Sequence, residues 1–134
     1  DGSQVAWSVH YGTNDSGPRL ATGPSASIVL FHGAMLFLEA YAQKLFGGRG
    51  DSWGTVLAAR ENYEVPRGLH LFSVQEYAKA DLSSSGGDRV AFEVGAQWFP
   101  RPHWDFSGAL RKQTSPTAGA GPTDAATLLM HYYL

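Results

Sequence analysis

The sequence predicts an α+β fold in which one long, central, apolar helix is wrapped by a curved antiparallel sheet of five to six strands, all within a single domain over residues 1–134. Three observations predict it. Residues 28–46 are apolar on almost every side of a helical projection. The stretches before and after them switch to a period of two, the pattern of a half-buried strand. The connections between the later stretches are short and contain glycine, which favours antiparallel hairpins.

Residues 4–11, QVAWSVHY, place Val5, Trp7, Val9 and Tyr11 on one side and predict the first strand. Residues 12–25, rich in Gly, Pro, Ser, Thr and Asn, read as a loop, with Ser25 or Ser27 capping the helix that follows. The helix carries Leu30, Phe31, Ala34, Met35, Phe37, Leu38, Tyr41, Ala42 and Leu45, and stops near Phe46, where Gly47 and Gly48 offer a left-handed end. A strand over 54–65 puts Leu57, Ala59, Tyr63 and Val65 on one face. The next, over 69–82, does the same with Phe72, Val74, Ala78, Ala80 and Leu82; Ser73-Val74-Gln75-Glu76 also fits a capping box, but the strand is preferred. A third, over 89–99, alternates Val90, Phe92, Val94, Ala96 and Trp98. The last strands fall near 107–113 and over 126–134, where Ala126, Leu128, Met130, Tyr132 and Leu134 share a face beyond a TSPTAGAGPTD segment.

With 43% hydrophobic residues, 16% charged residues and a formal charge of -2, the chain is expected to bury a core of its own. Its ten Lys and Arg form no basic stripe, which excludes nucleic acid as a partner. Five histidines with no i,i+4 pair give no metal site, and the absence of cysteine excludes disulfides and thiolate chemistry and suits a reducing, cytoplasmic setting. The longest apolar run, 28–38, is broken by His32 and Gly33 and falls short of the roughly 20 residues of a spanning helix, so no membrane partner is expected. The Asn14-Asp15-Ser16 sequon and the Arg49-Gly50-Asp51 triplet are read as chance matches.

On the expected helix the polar residues His32, Glu39 and Gln43 form one line, since seven residues make almost two turns. A carboxyl group among apolar walls has its proton affinity raised, which suits general acid–base work near neutral pH. The plainer alternative is that this stripe faces solvent or a partner copy.

Leu38-Glu39-Ala40-Tyr41-Ala42-Gln43 resembles the central-helix segment of the hot-dog 3-hydroxyacyl-thioester dehydratases, the group that includes the fatty-acid and aryl-polyene dehydratases, and GTVLAARENYEVPRG (54–68) is similar to the strand after it. The resemblance implies a hot-dog fold and acid–base elimination of water from a 3-hydroxyacyl thioester, with Glu39 in the catalytic acidic position and Gln43 orienting groups. The family's Gly-His-Phe-Pro loop is missing, so His32 would have to serve as the catalytic histidine. Gly33 would admit the thioester carbonyl to backbone donors, and Phe31, Met35 and Trp98 would line the acyl tunnel. An acyl thioesterase would use the same residues. The implied partners are an acyl thioester on CoA or acyl carrier protein and a second subunit, in a homodimer or heterodimer. No cofactor is implied beyond the phosphopantetheine or CoA of the substrate.

Two rivals of other classes stand beside this reading. One is a non-catalytic acyl-binding or dimerisation module. The other is a jelly-roll-like β binding domain, which requires residues 28–46 to split into strands. FPRPHWDF (99–106) reads as an aromatic turn or lid, and Arg60 as a candidate phosphate contact.

Overall fold

The apolar stretch that predicts a helix folds instead as parts of two strands joined by a tight turn. In the computed structural model, which describes residues 2–14, 17–47, 50–65, 68–114 and 121–133, strands take up most of the described residues. The strands are β1 (Gln4–Asn14), β2 (Gly17–Phe31), β3 (Ala34–Leu45), β4 (Ser52–Val65), β5 (Leu69–Lys79), β6 (Asp88–Trp98), β7 (Trp104–Gln113) and β8 (Thr123–Tyr132). They form one antiparallel sheet in chain order, β1 to β8. The described residues contain no helix. This corrects the expected α+β hot-dog fold, and the resemblance to its dehydratases goes with the central helix that carried it. The jelly-roll alternative required the split of residues 28–46 that is seen, but a meander has no Greek-key crossing.

The helix reading failed because β3 is apolar on both faces. Leu36, Leu38, Ala40 and Ala42 share one side, while Met35, Phe37 and Tyr41 share the other with Glu39 and Gln43. Such a strand shows no alternation, and its Ala, Leu, Met and Glu are good helix formers. The turn signal was His32-Gly33. Gly33 sits at φ +79°, a conformation that L side chains rarely adopt, and its carbonyl accepts a 2.6 Å hydrogen bond from the Glu64 amide. Gly33→Ala is therefore expected to destabilise the fold by about 1–2 kcal/mol, readable from the denaturant midpoint. A Cβ there would also lie 3.0 Å from the Glu64 carbonyl oxygen.

Residues 17–25 were expected to be loop and are the first half of β2. Pro24 has no N–H, and the β2–β3 register passes from Thr22↔Ala42 to Ser25↔Glu39 without using it. At β5 the expected shared face is seen for Phe72, Val74 and Ala78, while Ala80 and Leu82 fall beyond the strand. Phe72, Val74 and Ala78 point to the side that carries Arg60 and Glu76, and the opposite side carries Leu69, Leu71, Ser73, Gln75 and Tyr77. The sequon, the Arg-Gly-Asp triplet, the 66–68 turn, residues 115–120 and Leu134 lie wholly or partly outside the described residues.

The expected core is also missing. Among the described residues only two apolar side chains are buried, Ala34 and Ala91. The accessible surface is 9420 Å², against about 6,800 Å² for a compact chain of this mass. β1 and β8 leave two sheet edges without a strand partner among the described residues.

Candidate functional site

Residues directly opposite one another in an antiparallel sheet point to the same side, so the register sorts every side chain onto one of two faces. The first face takes Val5, Trp7, Val9 and Tyr11 from β1, Leu36 and Leu38 from β3, Leu57 and Ala59 from β4, Val90, Phe92 and Val94 from β6, and Leu128 and Met130 from β8. All four tryptophans, Trp7, Trp53, Trp98 and Trp104, lie on it. Among the described residues nothing covers this apolar face: Val5 is 82% exposed and Leu128 85%. Exposed apolar patches beyond a few hundred Å² mark contact with another molecule or with lipid.

The apolar face is bounded at both ends. At one end Phe31 packs beside Tyr63 with ring centroids 6.1 Å apart, Trp104 stacks on Phe106 at 5.9 Å, and Tyr132 meets Trp104 at 5.0 Å. Here the connections are short, at 32–33, 66–68 and 99–103. The other end carries charge. Lys44 pairs with Asp51 at 2.9 Å and lies over the Phe46 ring at 4.8 Å, and Lys79 pairs with Asp88 at 3.1 Å. The connections at this end include the longer 46–51, 80–87 and 114–122. In the 80–87 loop Asp81 accepts hydrogen bonds from the Ser83 hydroxyl at 2.6 Å and the Ser83 amide at 2.9 Å, which hold its carboxyl below the usual range.

Both boundaries climb across the sheet. Lys112 pairs with Phe92, four residues into β6 from the Asp88 end, and at the aromatic end the rim moves from Tyr63↔Leu71 through Leu69↔Trp98 to Trp104↔Tyr132. The strands are therefore slanted against the two rims. From Lys79 to Leu69 the chain advances ten residues, about 33 Å of strand, or roughly 25 Å of height at a tilt near 40°.

The second face carries charged and small side chains together with larger apolar ones, among them Met35, Phe37, Tyr41, Phe72 and Val74. Arg111 reaches across it to Glu76 and, at 3.3 Å, to Glu93, with the Gln113 amide oxygen at 3.4 Å. The Arg60 guanidinium lies 4.9 Å over the Phe72 ring. Glu39, Arg60, Asn62, Glu76, Glu93 and Arg111 line an open hollow of about 640 Å³. Nearer the aromatic end, buried Asp105 accepts from Gln97 at 2.9 Å and faces the His131 ring at 3.3 Å, while its other carboxylate oxygen has no partner. Arg111→Met would leave Glu76 and Glu93 close together without their cation. It is expected to destabilise by about 1–2 kcal/mol, between the ranges for surface and buried pairs, and adding Glu76→Gln should recover much of the loss in the same unfolding assay.

The residues singled out in the sequence are dispersed by this arrangement. His32 and Gly33 form the β2–β3 turn, while Met35, Glu39 and Gln43 lie on the polar face of β3. Phe31 and Trp98 belong to the aromatic rim of the opposite face. An interval of seven that aligns two side chains on a helix sends them to opposite sides of a strand. Arg60, Glu76, Glu93 and Arg111 were not grouped by sequence reading; only Glu93, between Phe92 and Val94, carries the signal of a charge alternating with apolar residues. Among the described residues no group of three or more His, Asp or Glu is arranged to hold a metal, and no helix is long and apolar enough to cross a membrane. Comparison with family models, with curated proteins and with solved structures gave no match.

Proposed function

We propose that this chain forms wall of a transmembrane β-barrel of the outer-membrane type, with the apolar face in lipid and the polar face turned to the barrel interior. The observation that carries the reading is the division of one sheet into an apolar face with an aromatic rim and a reverse side that holds a network of charged residues. Only helices and closed barrels satisfy every backbone group in a bilayer, so the reading requires the free edges of β1 and β8 to be paired, with each other or with further strands. Short connections at the aromatic rim, and longer ones at the charged rim except for the two-residue 15–16 connection, fit a periplasmic and an outer side, respectively. The polar face then encloses a water-accessible interior in which the Arg111, Glu76 and Glu93 network holds neighbouring strands in register.

This reading takes the place of the expectation of a cytoplasmic protein without a membrane partner, which considered helical spans alone. Elimination of water from a 3-hydroxyacyl thioester draws no support from a turn histidine and a polar-face glutamate held on different elements. The same applies to thioesterase chemistry and to a carrier-protein partner.

The test is fluorescence quenching by lipids brominated at known depths, using the full chain refolded into vesicles. Because every tryptophan lies on the apolar face, emission should be quenched strongly by the lipid and weakly by aqueous iodide. Strong iodide quenching with no effect of bromine would overturn the reading.

A further inference from the structure

Among the described residues, one carboxylate lies on the apolar face away from its charged end. Glu61 on β4 accepts a hydrogen bond from the Ser73 hydroxyl directly opposite on β5, and a second at 3.0 Å from the Gln75 side-chain amide; that amide also approaches the Ser73 oxygen at 3.1 Å. Leu36, Leu38, Ala59, Leu71 and Val94 surround the cluster in the register. Glu61 stands one alternation inside rim residue Tyr63, and none of the ion pairs among the described residues involves it. On a face turned to water this would be an ordinary surface cluster. On a face turned to lipid, an ionisable side chain is costly and marks a site that receives a partner.

The surrounding shape says which partner. On the rim side Glu61 and Ser73 border a hollow of about 380 Å³, whose other walls include Phe31, Tyr63 and Leu71. On the far side Gln75 borders a larger apolar trough of about 590 Å³, lined also by Ala26, Leu38, Ala40, Leu57 and Ala59. The polar cluster thus lies between a short apolar passage from the rim and a longer one toward the middle of the band. A polypeptide cation would need only the first. A molecule with a positive head and an oily tail fits both.

We infer that the Glu61, Ser73 and Gln75 cluster seats the ammonium group of an aminophospholipid whose acyl chain lies in the adjoining trough. Glu61 supplies the charge and the accepting oxygen; Ser73 and Gln75 fix its carboxylate so that it is presented to the head group. This inference rests on the membrane reading above. The chemistry discriminates among head groups, since a primary ammonium donates hydrogen bonds, a trimethylammonium carries charge without N–H donors, and a glycerol head group next to a phosphate carries no cation.

The experiment exposes the full chain in neutral detergent micelles to equal amounts of phosphatidylethanolamine, phosphatidylcholine and phosphatidylglycerol with matched chains, and weighs the retained lipid by mass spectrometry. Phosphatidylethanolamine should be retained about tenfold over phosphatidylglycerol, a preference worth one charge-assisted hydrogen bond, with phosphatidylcholine between them. Glu61→Gln should abolish the preference. That variant removes a charge from an apolar face, so it is expected to fold at least as well, and bromine quenching of its tryptophans confirms insertion. Dodecylammonium should compete for the site and dodecanol should not. Equal retention of the three lipids, an unchanged preference in Glu61→Gln, or a Glu61-dependent dimer of the chain in place of bound lipid would overturn the inference. If quenching persists in those cases, the membrane reading stands without it; if quenching itself is absent, both fall.

Discussion

Leu57→Arg is expected to lower the stability of the bilayer-inserted fold by about 2–4 kcal/mol, while Ala58→Arg, one residue away, is expected to be nearly neutral or stabilising. Leu57 lies on the apolar face near the middle of β4, between rim residues Trp53 and Tyr63, and pairs with Ala40 and Tyr77. An arginine there must either stay in hydrocarbon or distort the sheet to reach a rim. Ala58 points the other way and pairs with Glu39 on one side and Glu76 on the other. A guanidinium at 58 would meet two carboxylates on a face that already holds Arg60 and Arg111. Urea-dependent folding into vesicles, followed by tryptophan emission, measures both variants. Equal costs would mean that the two faces share one environment.

Gly23→Val is expected to produce the largest loss among single substitutions in the sheet, more than about 3 kcal/mol, the upper end of what overpacking costs. A Cβ at Gly23 would lie 1.8 Å from the Ala40 carbonyl oxygen, 2.8 Å from its carbon and 2.9 Å from the Tyr41 Cα. These are backbone atoms of the neighbouring strand, so no side chain can swing away to relieve them. β2 and β3 would have to separate where Pro24 already leaves the ladder without a donor. Gly12→Ala is the control, because a Cβ there meets nothing within 4 Å; its effect should stay within about 0.5 kcal/mol. A small loss at Gly23 would show that β2 and β3 are not held this closely.

Several strands were legible in the sequence because one face was apolar and the other was not. Val5, Trp7, Val9 and Tyr11, Val90 to Trp98, and Ala126 to Tyr132 all take the shared face that their alternation indicates. The central stretch was not legible because Met35, Phe37 and Tyr41 sit on the polar face, which fills both sides of β3 and removes its period. β2 was hidden by Gly23 and Pro24, residues that usually break strands and that here occupy a gap in the pairing. β5 was legible as a strand with Phe72, Val74 and Ala78 on one face, but not as to which side of the sheet that face takes, because Ser73 and Gln75 face the apolar side. The candidate interface was missed for a related reason. A chain that is 43% hydrophobic was taken to bury those residues within itself, and spans were sought only as long apolar helices. A strand that spans a bilayer needs one apolar face, and its average hydropathy stays ordinary.

The chain has no cysteine, so a single-cysteine scan along β4 tests the two-faced wall without removing any native residue of that type. Each variant carries a spin label, and its accessibility to oxygen dissolved in the bilayer is compared with that to a water-soluble nickel chelate. Labels at Thr55, Leu57, Ala59 and Tyr63 should favour oxygen, and labels at Val56, Ala58, Arg60 and Asn62 should favour nickel, giving a period of two. Uniform access of the nickel chelate to all eight positions would contradict the account.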